Sequence, residues 1–139
     1  AGIAREVDAD GLHVGQSDMT VSAARNVIGF NKILGVSTHN IKQARKAQQE
    51  GADYIGAGPL FPTATKAYEP PVGLTYLKQM QRDITIPFVA IGGITLENLD
   101  ETLAAGGRRV AICSAIISGS NVMQTTQLFR ARLDALSSV

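Results

Sequence analysis

The sequence predicts an α/β fold in which five parallel β-strands alternate with helices. Short apolar, β-prone segments recur along the 139-residue chain, and each is followed by a segment whose apolar residues have helical spacing. Residues 86–91, IPFVAI, show no polar alternation, so both faces of this strand are expected to be buried, as in a parallel sheet. Polar residues and glycines follow the strands and would share one end of such a sheet.

The first half of the chain contains three predicted strands, at residues 11–14, 32–36 and 53–55. Ile3 and Val7 lie four residues apart on one face, so residues 1–7 are typical of the end of a helix. Further helices are predicted at 20–28 and 41–50. The second of these would be capped by Ser37, Thr38 or Asn40 and would end at Gly51.

The second half contains the two remaining strands, at 86–91 and 109–112. Pro87 falls at the start of its strand, where a missing N–H does least harm. Helices are predicted at 73–82, 96–105 and 122–136, the last with Leu128, Leu133 and Leu136 among its apolar positions. Gly92 and Gly93 end the fourth strand, and the fifth ends at Ser114.

Composition restricts the class of protein. Hydrophobic residues make up 45% and charged residues 18%, which is ordinary for a soluble globular domain. Lys and Arg number 13 against 12 Asp and Glu, so neither nucleic acid nor an acidic membrane surface is expected as a partner. Cys113 is the single cysteine and fits a reducing compartment. With no long apolar run and no signal-like amino terminus, the expectation is a cytoplasmic protein.

The number of strands limits the possible architectures. A closed (β/α)8 barrel takes roughly 250 residues, and five strands cannot close one. Half of such a barrel would leave unpaired edges and an uncovered inner face. A doubly wound five-stranded sheet is the alternative, and the pattern of strands and helices does not decide between them.

The loop after the third strand, GAGPLFPTATK at 56–66, has the composition of a binding loop. A long loop at the carboxyl end of a strand is where α/β proteins carry their chemistry. Thr63 and Thr65 supply hydroxyl groups and Lys66 supplies a charge, a set that suits a phosphate or diphosphate. The alternative is a proline-ordered surface loop with a solvated lysine.

Several motifs together resemble the thiamine-phosphate synthase family, in order and spacing over essentially the whole chain. They are GLHVGQSD at 11–18, GVS at 35–37, GADYIG at 51–56, GPLFPTATK at 58–66, VAIGGI at 89–94 and SAI at 114–116. The Pro-Thr-x-Thr-Lys element is the specific part, whereas Gly-Gly-Ile occurs in many phosphate-binding barrels. The resemblance implies a TIM barrel that joins hydroxymethylpyrimidine diphosphate to thiazole phosphate and releases pyrophosphate, with Mg2+ as cofactor.

The resemblance also implies which part of that barrel is present. Residues 1–139 would form a partial TIM-barrel domain equivalent to strands 4 to 8, without the amino-terminal βα units. These residues by themselves are then expected to be inactive, and to form a homo-oligomer or to pair with the amino-terminal half of a barrel.

The resemblance assigns site residues by position. Asp18 matches a magnesium ligand, although an Asp there would also cap the next helix. Ser37, Thr63, Thr65 and Lys66 match positions that hold the diphosphate and the thiazole phosphate, with Lys66 and Ser37 as the catalytic pair. Gly92, Gly93, Cys113 and Ser114 would form the barrel's phosphate site after its last two strands. Glycine lets the backbone approach the phosphate, and Cys113 is expected to be small core filler.

Two other functions stay open. His39 lies beside the second strand end, where the related thiazole tautomerases use a histidine, but that branch lacks the Pro-Thr-x-Thr-Lys loop. A non-catalytic half-barrel that only binds or assembles is the other. His13, inside a strand, is expected to be packed and hydrogen-bonded.

Overall fold

A computed structural model describes residues 1–63 and 70–136. Of the predicted site residues, Thr65 and Lys66 lie outside the described residues. The described part contains a five-stranded sheet in which every neighbouring pair is parallel and the strand order follows the sequence. The strands are β1 Gly11–Val14, β2 Ile33–Thr38, β3 Tyr54–Ala57, β4 Phe88–Ile91 and β5 Val110–Ala111.

The sequential strand order decides between the two architectures left open by the sequence. A doubly wound sheet reverses its strand order at a switch point, whereas a barrel is wound in one direction. The order β1-β2-β3-β4-β5 has no reversal. The fold is therefore that of five consecutive βα units of a TIM barrel.

Seven helices connect and flank the strands within the described residues. They are α1 Gly2–Glu6, α2 Val21–Ile28, α3 Ile41–Gln49, α4 Gly73–Asp83, α5 Leu99–Ala104, α6 Ser114–Ile117 and α7 Val122–Leu136. The short α6 is not predicted by the sequence pattern, because four residues are too few to display a helical period.

Side-chain caps fix the starts of the helices that lead back from β1 and β2. Thr20 caps α2 by accepting the Ala23 N–H at 3.2 Å, and Asn40 caps α3 by accepting the Gln43 N–H at 3.0 Å. Because Thr20 holds the cap position, the alternative that Asp18 caps this helix is wrong. Helix α5 begins three residues later than predicted, because the Asn98 carboxamide instead closes a turn with Thr95.

The hydrophobic core lies on the outer face of the sheet, between the strands and the helices. Alternate strand residues such as Leu34, Val36, Ile55 and Ala90 are buried there. Their helical partners are Val21, Ala24, Ala44, Ala47, Tyr76, Leu77, Met80, Leu99 and Phe129. In α7 the buried residue is Phe129, and of the apolar positions predicted for this helix Leu128 is 49% exposed and so lies outside the packed face.

A hydrogen-bonded pair of hydroxyl groups joins α4 to β2 inside this core. Thr38 Oγ1 donates to the Gly56 carbonyl at 3.1 Å, so it accepts from the Tyr76 hydroxyl, 2.6 Å away. Burial raises the pKa of Tyr76 to about 12, because the phenolate would lose its hydration, and the Thr38 hydrogen bond offsets only part of that rise. Tyr76 therefore stays protonated as a donor.

The inner face of the sheet is much more open than the outer face. Ile33 is 55% exposed and Ile91 is 44% exposed. The prediction that β4 is buried on both faces is therefore wrong in this structure, since only Ala90 among its four residues is buried. The apolar run in the sequence indicates that both faces are suited to burial, whereas the described residues cover only one.

An ion pair ties the amino ends of β2 and β3 to α2. Arg25 donates to the carbonyl oxygens of Lys32 and Gly51 and, at 2.6 Å, to the carboxylate of Asp53. The same Asp53 oxygen accepts the Leu34 N–H at 2.7 Å. Burial opposes ionisation of Asp53, but the Leu34 hydrogen bond and the Arg25 charge together lower its pKa. This contact sets the spacing of β2 and β3 at the end away from the candidate site.

Candidate active site

The loop after β3 lies directly on the glycine turn that follows β4. The Leu60 N–H donates to the Ile91 carbonyl at 2.9 Å, and the Phe61 N–H donates to the Gly92 carbonyl at 3.0 Å. Gly92 has φ +96°, and a Cβ there would lie 2.5 Å from the Cα of Pro59. The contact is thus backbone on backbone, and only glycine allows it.

The next glycine makes the same kind of contact further along the loop. Gly93 has φ +67°, and a Cβ there would lie 2.6 Å from the carbonyl oxygen of Pro62. Asn98 steadies the turn by donating to the Gly93 carbonyl at 2.9 Å and accepting the Thr95 N–H at 2.8 Å. The two glycines therefore hold the loop that presents Thr63, in addition to ending a strand.

A cavity of about 180 Å³ opens beside this turn, at the carboxyl ends of β4 and β5. Five of the predicted site residues line it together: Thr63, Gly92, Gly93, Cys113 and Ser114. The other lining residues are apolar: Ile91, Ile94, Ala111 and Ile112. Hydroxyl groups, a thiol and glycine backbone in an apolar setting suit a small ligand with a polar head, such as a phosphate ester.

Cys113 does not have the core position expected of it. Its side chain is exposed, and it precedes α6 at the edge of the cavity. Its φ and ψ of −119° and −83° belong to neither strand nor helix, because the chain turns there from β5 into α6. The prediction of a core-filling cysteine is wrong, whereas its predicted position beside Ser114 agrees with the cavity lining.

Ser37 lies on the inner face of β2 in a network of three side chains. Its Oγ is 2.8 Å from His13 Nε2, and His13 Nδ1 is 2.9 Å from the Tyr54 hydroxyl. His13 is hydrogen-bonded as predicted but exposed rather than packed. The sequence gives no signal for the network, since Tyr54 and His13 are 41 residues apart and strand register alone brings them together.

Asp18 lies in the turn after β1, apart from the cavity at Gly92 and Gly93. Its carboxylate accepts the Gly15 N–H at 2.7 Å and lines a smaller cavity of about 100 Å³ between the start of α2 and α3. The neighbouring Gln16 donates to the Ser37 carbonyl at 2.7 Å, which links this turn to β2. In the part of the chain that the structure describes, Asp18 belongs to no group of three or more potential metal ligands.

His39 contacts the start of the loop after β3. Its Nδ1 lies 2.6 Å from the carbonyl oxygen of Gly58, which accepts only, so Nδ1 carries the proton. The His39 N–H in turn donates to Gln43 at 2.7 Å. This histidine therefore connects the end of β2 to the loop of β3.

The strand ends place the predicted residues along one rim of the sheet. Thr63, Gly92, Gly93, Cys113 and Ser114 share one cavity, Asp18 lines another, and Ser37 lies on the strand between β1 and β3. Among the described residues, no helix has the length and apolarity needed to cross a lipid bilayer.

Comparison with solved structures supports the fold. A thiamine phosphate pyrophosphorylase from Pyrococcus furiosus matches with a TM-score of 0.84 and 36% identity over 96% of this chain and 63% of that one. A 3-hexulose-6-phosphate synthase matches with a TM-score of 0.67 at 21% identity, over 94% of this chain and 65% of that one, which supports the fold alone.

Sequence comparison gives the family. A thiamine-phosphate synthase from Halalkalibacterium halodurans is 46% identical over 95% of this chain, and one from Methanobrevibacter smithii is 51% identical over 86%. The chain spans 63% and 57% of the length of these two relatives. The profile of the thiamine monophosphate synthase family matches residues 1–116. The chain belongs to the thiamine monophosphate synthase family.

Proposed function

We propose that the protein transfers the hydroxymethylpyrimidine group from its diphosphate to thiazole phosphate, giving thiamine phosphate and pyrophosphate. The observation that supports this most is the cavity in which Thr63, Gly92, Gly93, Cys113 and Ser114 meet beside the loop of β3. Membership of the thiamine monophosphate synthase family supplies the reaction. In that reaction a C–N bond to the thiazole nitrogen replaces the C–O bond to the diphosphate.

The cavity at β4 and β5 would hold the phosphate of the thiazole substrate. Gly92 and Gly93 have no Cβ, so their backbone can approach phosphate oxygens closely. Thr63 and Ser114 add hydroxyl donors at the cavity wall. The apolar lining at Ile112 excludes water and strengthens these hydrogen bonds.

The diphosphate would lie nearer β2, where Ser37 presents its hydroxyl group on the inner face. As pyrophosphate leaves the benzylic-type carbon of the pyrimidine, negative charge grows on its oxygens and positive charge on the carbon. Donors aimed at the leaving oxyanion are the largest catalytic contribution available. We assign this role to Ser37 and Lys66, with Thr65 as a further donor. Thr63, the last described residue before Thr65 and Lys66 in the sequence, lines the cavity at β4 and β5.

Asp18 is suited to be one of the ligands of a magnesium ion. Its carboxylate is a hard oxygen donor, it is exposed, and the Gly15 N–H holds it in place. Mg2+ binds through one or two carboxylates together with substrate phosphates and water, so a single carboxylate is compatible with it. The ion, when bound, would neutralise charge on the phosphate oxygens.

The proposed function is tested by measuring pyrophosphate release from a purified full-length version of the protein, since residues 1–139 by themselves are expected to be inactive. We expect release only when both phosphorylated substrates and Mg2+ are present, and thiamine phosphate should form in equal amount. Lys66→Ala should reduce turnover by about a hundredfold or more, since a charge facing the leaving group is lost. Absence of release from the wild-type protein with all components present would reject the proposal.

The tautomerase alternative depends on His39 as a proton-transfer group. Because its Nδ1 is engaged with the Gly58 carbonyl, we assign His39 to holding the loop. His39→Asn keeps a short donor at this place and should change pyrophosphate release only modestly. Near-complete loss of a thiazole isomerisation activity in this variant would instead favour the tautomerase.

A further inference from the structure

The network of Tyr54, His13 and Ser37 has no role yet in the proposed reaction beyond that of Ser37 itself. His13, Gly35 and Tyr54 stand opposite one another on three successive strands, since His13 pairs with Gly35 and Gly35 pairs with Tyr54. Ser37 follows Gly35 by two residues, so it lies on the same face and nearer the rim. The hydrogen bonds thus run from the middle of the inner face towards the rim at the carboxyl ends of the strands.

Gly35 makes this arrangement possible. A Cβ at Gly35 would collide with the aromatic ring of Tyr54 and lie 2.5 Å from His13 Nδ1. The rings of His13 and Tyr54 therefore meet above the backbone of the strand between them, with centroids 5.4 Å apart. Because Gly35 has no side chain, the Tyr54 hydroxyl can lie 2.9 Å from the His13 imidazole across β2. The contact is built into the sheet by register and by this glycine.

Counting donors assigns the protons along the network. A phosphate oxygen only accepts, so Ser37 must use its single proton on the ligand and must accept a hydrogen bond from His13 Nε2. A neutral imidazole protonated at Nε2 is an acceptor at Nδ1. The Tyr54 hydroxyl is then the donor to Nδ1, so every hydrogen bond in the network is donated in the direction of the ligand.

We infer that Tyr54 is a positioning residue: its hydroxyl holds His13 in the Nε2–H tautomer, and His13 in turn orients the Ser37 hydroxyl as a donor to the substrate diphosphate. The inference rests on the proposed function for the identity of the ligand. The tautomer is therefore assigned for the protein with a phosphate ligand at Ser37, and inorganic pyrophosphate can serve as that ligand whatever the reaction. Tyr54 acts through His13 and Ser37 and does not touch the reacting atoms.

The first experiment measures the tautomer directly. With inorganic pyrophosphate bound, ¹⁵N–¹H correlation spectra of the imidazole should show a protonated Nε2 and an unprotonated Nδ1 at His13. Tyr54→Phe removes only the hydroxyl group and should convert His13 to a mixture of tautomers. A proton on Nδ1 in the wild-type protein, or an unchanged tautomer in Tyr54→Phe, would overturn the inference.

The second experiment measures kinetics. Tyr54→Phe should lower kcat about tenfold, the size of one hydrogen bond felt in the transition state, and leave the KM for thiazole phosphate unchanged. In a Ser37→Ala background the same change should have no further effect, because its route of action is gone. An equal loss in both backgrounds would show that Tyr54 does not act through Ser37.

Tyr76→Phe is the matched control. It also removes a tyrosine hydroxyl that is hydrogen-bonded to a β2 residue, Thr38, but on the outer face. It should lower the melting temperature and leave kcat and the His13 tautomer unchanged. If the wild-type protein releases no pyrophosphate, the proposed function fails, and the tautomer spectra still decide the role of Tyr54.

Discussion

Arg25 and Asp53 form an ion pair that connects α2 to the amino ends of β2 and β3. The Arg25 side chain is 8% exposed, whereas that of Asp53 is 48% exposed. Loss of the carboxylate charge would leave the buried guanidinium with only neutral partners, and the Leu34 N–H with at most a neutral amide oxygen as its acceptor. The loss is therefore larger than that of an ordinary surface ion pair.

We expect Asp53→Asn to lower the free energy of unfolding at pH 7 by about 1–2 kcal/mol, reduced from the fully buried case by solvent screening at Asp53. The folded state lowers the pKa of this carboxyl, so its contribution is present above the ordinary value of 3.8 and is lost as the pH falls below it. Urea unfolding from pH 7 to pH 2 should therefore show a shallower decline for Asp53→Asn than for wild type.

The ion pair of Asp8 and Lys32 provides the control. The Asp8 side chain is 89% exposed, and its pKa is lowered by the hydrogen bond and the charge of Lys32. Asp8→Asn should change stability little, because water screens an exposed pair. Equal effects of the two substitutions would mean that the Arg25–Asp53 contact is no more than a surface ion pair.

Single residues also mark the limit of what the sequence predicts about the site. Gly92, Gly93 and Ser114 are identifiable because they follow strands in a recognisable motif, and the structure brings them into one cavity. The contact of His13 with Tyr54 depends on the register of three strands, which no local pattern encodes. Lys66 and Thr65 stay predictions.

At the scale of elements, the loop of β3 and the turn after β4 form one unit. Backbone N–H groups of the loop donate hydrogen bonds to the Ile91 and Gly92 carbonyls, in the way that a neighbouring strand would. The residues predicted to bind the two phosphorylated substrates therefore lie on segments that are hydrogen-bonded to each other. A substitution that moves the turn after β4 should also move the loop after β3.

We expect Gly92→Ala to displace the loop and to reduce kcat/KM by about a hundredfold, since small misplacement of binding groups is costly. Gly51→Ala is the matched control, because Gly51 also has positive φ, at +90°, yet an added Cβ meets nothing within 4 Å among the described residues. Gly51→Ala should lose about 1 kcal/mol from backbone strain, and Gly92→Ala should lose more, because its Cβ also meets Pro59. Comparable activity in the two would refute the coupling of turn and loop.

The order of the elements was predictable because each strand is an apolar run between turn residues, and each long helix shows its period. Strand β4 shows where that reasoning stops. Its sequence, FVAI, indicates a strand with two buried faces, but burial depends on what lies opposite, and Ile91 is 44% exposed. Helix α6 escaped prediction because it is a single turn after β5.

At the scale of the whole molecule, the sheet has one covered face and one open face. Ile33 and Ile91 present apolar surface on the open face, and among the described residues β1 and β5 each have no strand partner on their outer edge. Contiguous apolar patches above a few hundred Å² are rare on soluble monomers, and open strand edges promote pairing between chains. Residues 1–139 produced by themselves should therefore associate through this face.

We expect sedimentation velocity of residues 1–139 to show association that increases with concentration. Ile33→Lys places a charge on the open face, far from the rim, and should shift the protein towards monomer. Phe30→Lys is the control, because Phe30 is 85% exposed but lies in the turn before β2, outside the sheet. Association that responds equally to both changes would point to general hydrophobic adhesion. A monomer with a cooperative melt at every concentration would show that the open face is stable in water.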